Sequence, residues 1–312
     1  MRLDQRGDSA HSTAMTAEDH DFSHLDRFGR AAGNVSRNPR LAVNFVLGAA
    51  VVLAWLLLGA MAIRGAESRV PGIDAPGDTM LRHLPRLPLP DFLERFFSLC
   101  LAPAPLDGGV GAQAGALIVM WFLMAVATML PSAAPMIRTY CEIADTARIK
   151  GEAVVHPLIL VAGYLSVWLA ASAVFAALTL IVHAFASSAQ MLDPVVGATG
   201  AAALLVAGLY QFSGLKEACL TKCKSPFSIL FSNWSARPGR IFRLGIEQGV
   251  WCLGCCWALM LVMFAVGVMN VFWLALIGLF TLIEKQTAGR LPTRLAGAIL
   301  LVWATALLVV SA

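Results

Sequence analysis

Three cysteines, Cys252, Cys255 and Cys256, stand in one short apolar stretch, Glu247-Gln-Gly-Val-Trp-Cys-Leu-Gly-Cys-Cys-Trp-Ala-Leu-Met-Leu-Val-Met263. Thiolates and thioethers are soft ligands. They suit Cu(I), and less closely zinc, which asks for four ligands in a tetrahedron. Each residue of a helix advances by about 100°, which gathers Cys252, Cys255, Cys256, Met260, Met263 and Gln248 within about 140° of arc. Close helix packing would explain Gly254 and one small cysteine, but not three. Metal or redox chemistry accounts for the rest.

Two other stretches carry sulfur. Met120, Met124 and Met129 precede Pro131 and Pro135 in a second apolar run. If that run is antiparallel to the first, Met120 matches Met263 in depth, and Met124 matches Met260. Met129 then matches Cys252 or Cys256. The two prolines should break the inner end of this helix and free backbone carbonyls. Packing is the plain alternative for a methionine stripe. The third stretch holds Cys219 and Cys223, four apart on one helical face. Lys216, Lys222 and Lys224 surround the pair and favour thiolate. This reads as a separate, transient metal or redox site, or as a plain helix end free of core packing.

These side chains need a membrane to position them. Of 312 residues, 58% are hydrophobic and 13% charged, against about 25% charged in a soluble domain. The fold class is therefore all-α, a polytopic bundle of about seven transmembrane helices. The spans fall near 41–63, 113–136, 156–185, 195–214, 245–268, 271–283 and 295–310. Between the fifth and sixth only Met269 and Asn270 interrupt the apolar pattern, which predicts a tight re-entry. One long helix to Ile283 would give six spans instead. All 23 Lys and Arg residues except Arg64, Arg69, Arg82, Arg86 and Arg95 fall on one side when seven spans are drawn from a cytoplasmic N-terminus. Six spans would put Lys285 and Arg290 outside.

The domains follow. Residues 1–40 form a polar, disordered cytoplasmic tail, too long for the n-region of a signal peptide, and 41–63 the first anchor. Residues 64–112 form an external loop, and 113–312 a six-helix metal-binding domain. In the loop, Phe92, Phe96, Leu99 and Cys100 recur at helical spacing. They predict an amphipathic helix on the outer surface, or a segment packed on the span ends. The lipid bilayer is the evident partner. No basic cluster is interleaved with aromatics as nucleic-acid binding requires.

Several segments together resemble a known bacterial family. They are Met120-Trp-Phe-Leu-Met-Ala-Val-Ala-Thr-Met-Leu-Pro-Ser-Ala-Ala-Pro-Met136, Tyr210-Gln with Leu215-Lys, Cys219-Leu-x-x-Cys223, Gly249-x-x-Cys252-x-Gly-Cys-Cys-Trp-x-Leu-Met260, Gly267-x-Met-Asn270 and Glu284-Lys285. The chain is similar, from about Gly115 to Lys285, to predicted metal-binding integral membrane proteins, a domain of unknown function. Thr128 stands where that family's pattern has a Met. The resemblance implies metal binding and a small soluble partner protein; a metallochaperone is the alternative partner. It implies no established activity.

The reading is a bacterial inner-membrane protein that binds Cu(I) and handles it for delivery, transport or homeostasis. No nucleotide motif or phosphorylatable Asp motif makes it a pump, and it reads as a handling protein rather than an enzyme. Two alternatives stay open. One is a membrane thiol-disulfide oxidoreductase using the Cys252/Cys255 pair. The other is a scaffold or assembly subunit of a larger membrane complex. The charge asymmetry predicts a cytoplasmic N-terminus and a periplasmic C-terminus. A reporter active only in the cytoplasm, fused after Ala312, should then be silent; a strong signal would mean an even number of spans.

Overall fold

The computed structural model describes residues 39–68, 81, 83, 89–101, 109–188, 192–225, 229–231 and 234–311. The tail over 1–38 and most of the loop between the first two spans lie outside them. So does any test of the tail's predicted disorder. Among the described residues all regular structure is helical. In chain order the helices are α1 (Pro39–Ser68), α2 (Asp91–Leu101), α3 (Gly109–Ile149), α4 (Pro157–Ser188) and α5 (Leu192–Gln211). They continue with α6 (Gly214–Lys224), α7 (Pro238–Met260), α8 (Val262–Val266), α9 (Val271–Gln286) and α10 (Leu291–Ser311). The compact unit Val43–Ala312 holds nearly all of this; the described part of the other, Met1–Ala42, is the opening of α1.

Five helical stretches are long and apolar enough to cross a membrane: 42–66, 109–149, 157–185, 238–266 and 291–309. Residues 198–211 of α5 and 214–224 of α6, bent by 66° at Phe212 and Ser213, make a sixth if the pair is one broken span rather than a re-entrant loop. The expected span over 271–283 falls on α9, whose 16 residues rise about 24 Å, short of a hydrocarbon core of about 30 Å. The expected break before it is present. Gly267 adopts φ 95°, a left-handed conformation that favours glycine, and Asn270 caps α9 by accepting from Trp273 N at 3.2 Å. A single helix to Ile283 is thereby excluded.

The two prolines do not break α3, which continues for 41 residues through Pro131 and Pro135. Pro131 removes the donor for the Ala127 carbonyl. The Trp55 indole of α1 takes that carbonyl at 3.1 Å. A neighbouring helix thus satisfies the freed group, and the helix tolerates its prolines. α2 forms where its spacing predicted, with Phe97 and Cys100 turned inward and Phe92 mostly exposed. The Cys100 thiol donates to Ala116 O of α3, and burial pushes its pKa up to about 12. Cys100 is therefore a packing residue held as the thiol.

α3 and α7 each pack along α4, while α9 packs against α3, and α10 against α5. The α4–α7 crossing is the tightest constraint on the site. A methyl group on Gly163 would stand 2.1 Å from Phe242 O, and one on Gly245 2.1 Å from Leu160 O. A methyl on Gly249 would meet the Val167 side chain at 2.9 Å. Small residues at this spacing let two membrane helices touch backbone to backbone. Gly245→Ala should therefore destabilise the bundle by about 1–3 kcal/mol or more. Gly115→Ala, with open space at the added carbon, should not. Thermal unfolding in detergent compares the two, and equal stability would show that the crossing can relax.

Candidate metal centre

The cysteines of α7 all point inward: Cys252, Cys255 and Cys256 are each at most 1% exposed. Cys255 and Cys256 hold their sulfurs 3.2 Å apart, and the Cys255 thiol donates to Cys252 O at 3.1 Å. A fourth sulfur comes from α6. That helix starts after the 66° bend, where the Ser213 hydroxyl caps it by accepting from Lys216 N. The bend directs its last turn back onto α7. The sulfurs of Cys223, Cys252 and Cys255 then lie within 4.8 Å of one another.

This arrangement corrects the division into two sulfur sites. Cys223 belongs with the α7 cysteines. Cys219, one turn earlier, is buried against Gly254, where an added methyl would stand 2.6 Å from its sulfur. The pair is split, and Cys219 carries core packing after all. Lys216 serves neither thiol. It is fully buried and paired with Glu284 at 3.0 Å, and Thr293 Oγ1 donates to the same carboxylate at 2.6 Å. Lys224 donates to Thr287 O.

The cation beside the sulfur is Lys285 of α9. Its ammonium donates to Cys252 Sγ at 3.1 Å and to Ser132 Oγ at 2.7 Å. Tyr164 of α4 lies on another side, its hydroxyl 3.0 Å from Cys252 Sγ and 3.0 Å from Met129 O. The phenol has one hydrogen for these two acceptors. Cys223, Cys252, Tyr164, Lys285 and Gln248 share the wall of a cavity of about 70 Å³. The Gln248 amide nitrogen is buried there without a partner. An amide in that state retains an unmet demand for an acceptor.

The methionines are all core residues: Met120, Met124, Met129, Met260 and Met263 are at most 1% exposed. The expected face-to-face pairing of the second and fifth spans is modified, because α7 runs along α4. Met129 reaches the cluster through its carbonyl and Tyr164. Met124 and Met263 line a small void with Met269, Leu58, Asn270 and Leu274, and the void has no room for water. Trp121 of α3 stacks on Phe264 of α8 at 5.6 Å, with Phe175 on it at 4.9 Å. The methionine level is thus dry and aromatic, and the cysteine level is polar.

A family model described as copper chaperone, PpoB2, matches residues 118–307. The chain belongs to that family. No curated protein and no solved structure matches it. The match spans every cysteine and methionine of the candidate site, and also Tyr164 and Lys285.

Sequence reasoning missed the roles of Tyr164, Ser132 and Lys285. A signal existed for the first: the chain has only three tyrosines, and each hydroxyl donates to a backbone carbonyl, Val155 O, Met129 O or Gly254 O. For Lys285 the signal was a lysine directly following Glu284 at the end of the apolar run of α9. Cys223 alone of the cluster is partly exposed. A small maleimide should therefore label Cys223 in folded protein, and label Cys255 and Cys256 only after unfolding, as read by peptide mass spectrometry. Equal labelling of all three would mean that the cluster is open to water.

Proposed function

We propose that Cys223, Cys252 and Cys255 bind one Cu(I), with Cys223 as the exchangeable ligand and Cys256 beside them, and that the protein hands this ion on. What carries the reading is the convergence of three sulfurs from two helices beside the half-buried ammonium of Lys285. Membership of a copper chaperone family supports it. Three thiolates and Cu(I) make a centre of charge −2, and the Lys285 ammonium beside Cys252 reduces it to −1. Two or three sulfurs satisfy Cu(I).

Met120, Met124, Met129, Met260 and Met263 would form thioether positions on the far side of the cluster. Cys219 is better assigned to packing. The protein would sit in the bacterial inner membrane with its N-terminus and α6 on the cytoplasmic side. The cavity beside Cys223 would then open towards a soluble metallochaperone. The tail over 1–40, the anchor over 41–63 and the loop over 64–112 would flank the metal-handling unit over 113–312. The chemistry needed is ligand exchange at copper, without an enzymatic turnover.

Full-length protein in detergent under reducing conditions should bind about one equivalent of Cu(I). Cys223→Ser, Cys252→Ser and Cys255→Ser should each abolish stoichiometric binding, while Cys219→Ser should retain it. Lys285→Met should weaken binding by about 10–100-fold, the range for partners that orient or neutralise metal ligands. Competition against a chromogenic Cu(I) chelator reads all of these. Undiminished binding by the triple Cys→Ser variant would place the site elsewhere. Isolation of the parent with Cys252 and Cys255 oxidised and metal-free would favour an oxidoreductase.

A further inference from the structure

A second, larger cavity lies next to the sulfur cavity, with Lys224 in the wall of both, between α6 and the α9–α10 turn. Its volume is about 650 Å³. Lys216, Lys224, Arg290 and Arg294 all contribute to its wall, and Glu217 is its one acid. Lys216 is matched by Glu284, and Arg290 by Glu217. Among the described residues neither Lys224 nor Arg294 has a carboxylate partner. The wall therefore carries two cations in excess. The first turn of α10 adds the positive end of a 21-residue helix.

One wall residue, Gln211, also carries an unmet acceptor. Gln211 is 4% exposed, and its amide nitrogen donates to Ala207 O at 3.3 Å. Its carbonyl oxygen, Oε1, is buried with no partner. A bare anion would leave that oxygen unsatisfied, whereas a hydroxyl would satisfy it. The ligand that meets both demands is an anion bearing alcohol groups. Its surroundings are apolar: Phe212, Leu215, Leu291 and Leu295, in the segments that build this wall, are 52–69% exposed. The cavity stands where the apolar runs of α5 and α10 end.

We propose that this cavity binds the headgroup of one anionic, hydroxylated phospholipid of the phosphatidylglycerol type. The phosphodiester faces Lys224, Arg294 and the α10 N-terminus, and a glycerol hydroxyl donates to Gln211 Oε1. The acyl chains run along Phe212 and the exposed leucines. Basic pockets between transmembrane helices bind anionic headgroups on this principle. The site is independent of the copper reading.

The test uses full-length protein in mild detergent, mixed with phosphatidylglycerol, phosphatidic acid or phosphatidylcholine, with retained lipid counted by native mass spectrometry. The parent should retain one phosphatidylglycerol and little phosphatidylcholine. The Lys224→Gln/Arg294→Gln double variant should bind phosphatidylglycerol about thirtyfold more weakly, as expected for two basic residues lost at an anionic surface. Gln211→Leu should weaken phosphatidylglycerol but not phosphatidic acid, which lacks the alcohol groups. That variant keeps every charge, so it distinguishes recognition from general attraction. Equal retention of phosphatidylcholine, or undiminished retention by the double variant, would overturn the proposal. Complete displacement by millimolar inorganic phosphate would also overturn it, and would identify the ligand as a free phosphate.

Discussion

The site depends on how closely α4 and α7 approach. At Gly163 and Gly245 the two backbones leave no space for a methyl group. In lipid no hydrophobic force drives helices together, so close packing between small residues has to hold them. That contact fixes both the crossing and the register. Tyr164 follows Gly163 directly, and Cys252 lies two turns beyond Gly245. Only at this separation does the phenol reach the Cys252 sulfur and, on its other side, the Met129 carbonyl of α3. Three helices meet at one hydroxyl, and the crossing beneath it sets their spacing.

The charges obey a related constraint. Glu284 and Lys285 are neighbours on α9, yet they serve different ends. Glu284 turns to Lys216 of α6 and Thr293 of α10, tying three helices through a fully buried ion pair. Loss of either member would leave a buried charge, at a cost of about 3–5 kcal/mol. Lys285 turns the other way, to Ser132 and Cys252. Because Glu284 neutralises Lys216, the ammonium left facing the sulfurs is that of Lys285. The balance at the candidate centre is therefore decided by which of two adjacent residues faces which helix.

Much of this could be read from the sequence, for identifiable reasons. The apolar runs, the α7 sulfur face and the break at Met269-Asn270 are local patterns, and local geometry decides them. Gly267 and Asn270 carry the break in their own conformations. What the sequence concealed was long-range. The spacing of Cys219 and Cys223 is a helical pair on paper, but the pairing is settled by the bend before α6 and by Gly254, which accepts Cys219 into its notch. Pro131 suggested a broken helix because the compensating donor, Trp55, lies 72 residues from the Ala127 carbonyl it serves. The span count fell short of seven because α9 is a helix too short to cross on its own.

The division of ligands between two unlike elements bears on what the centre can do. Cys252 and Cys255 sit on a 23-residue helix locked against α4. Cys223 sits on the last turn of an 11-residue helix beyond a 66° bend. Copper(I) is satisfied by two or three sulfurs, so one ligand can leave while the ion stays bound. Under the proposed role, the ligand best placed to leave is the one on the short arm, and it is also the one beside the cavity. The rigid pair would retain the ion while the third position passes to an incoming sulfur. Tyr210 and Cys219, which press α5 and α6 onto Gly254 of α7, keep that arm in register between exchanges. A site built wholly on α7 would hold copper equally well, but it would offer no ligand that could be exchanged without disturbing the crossing that positions all the others.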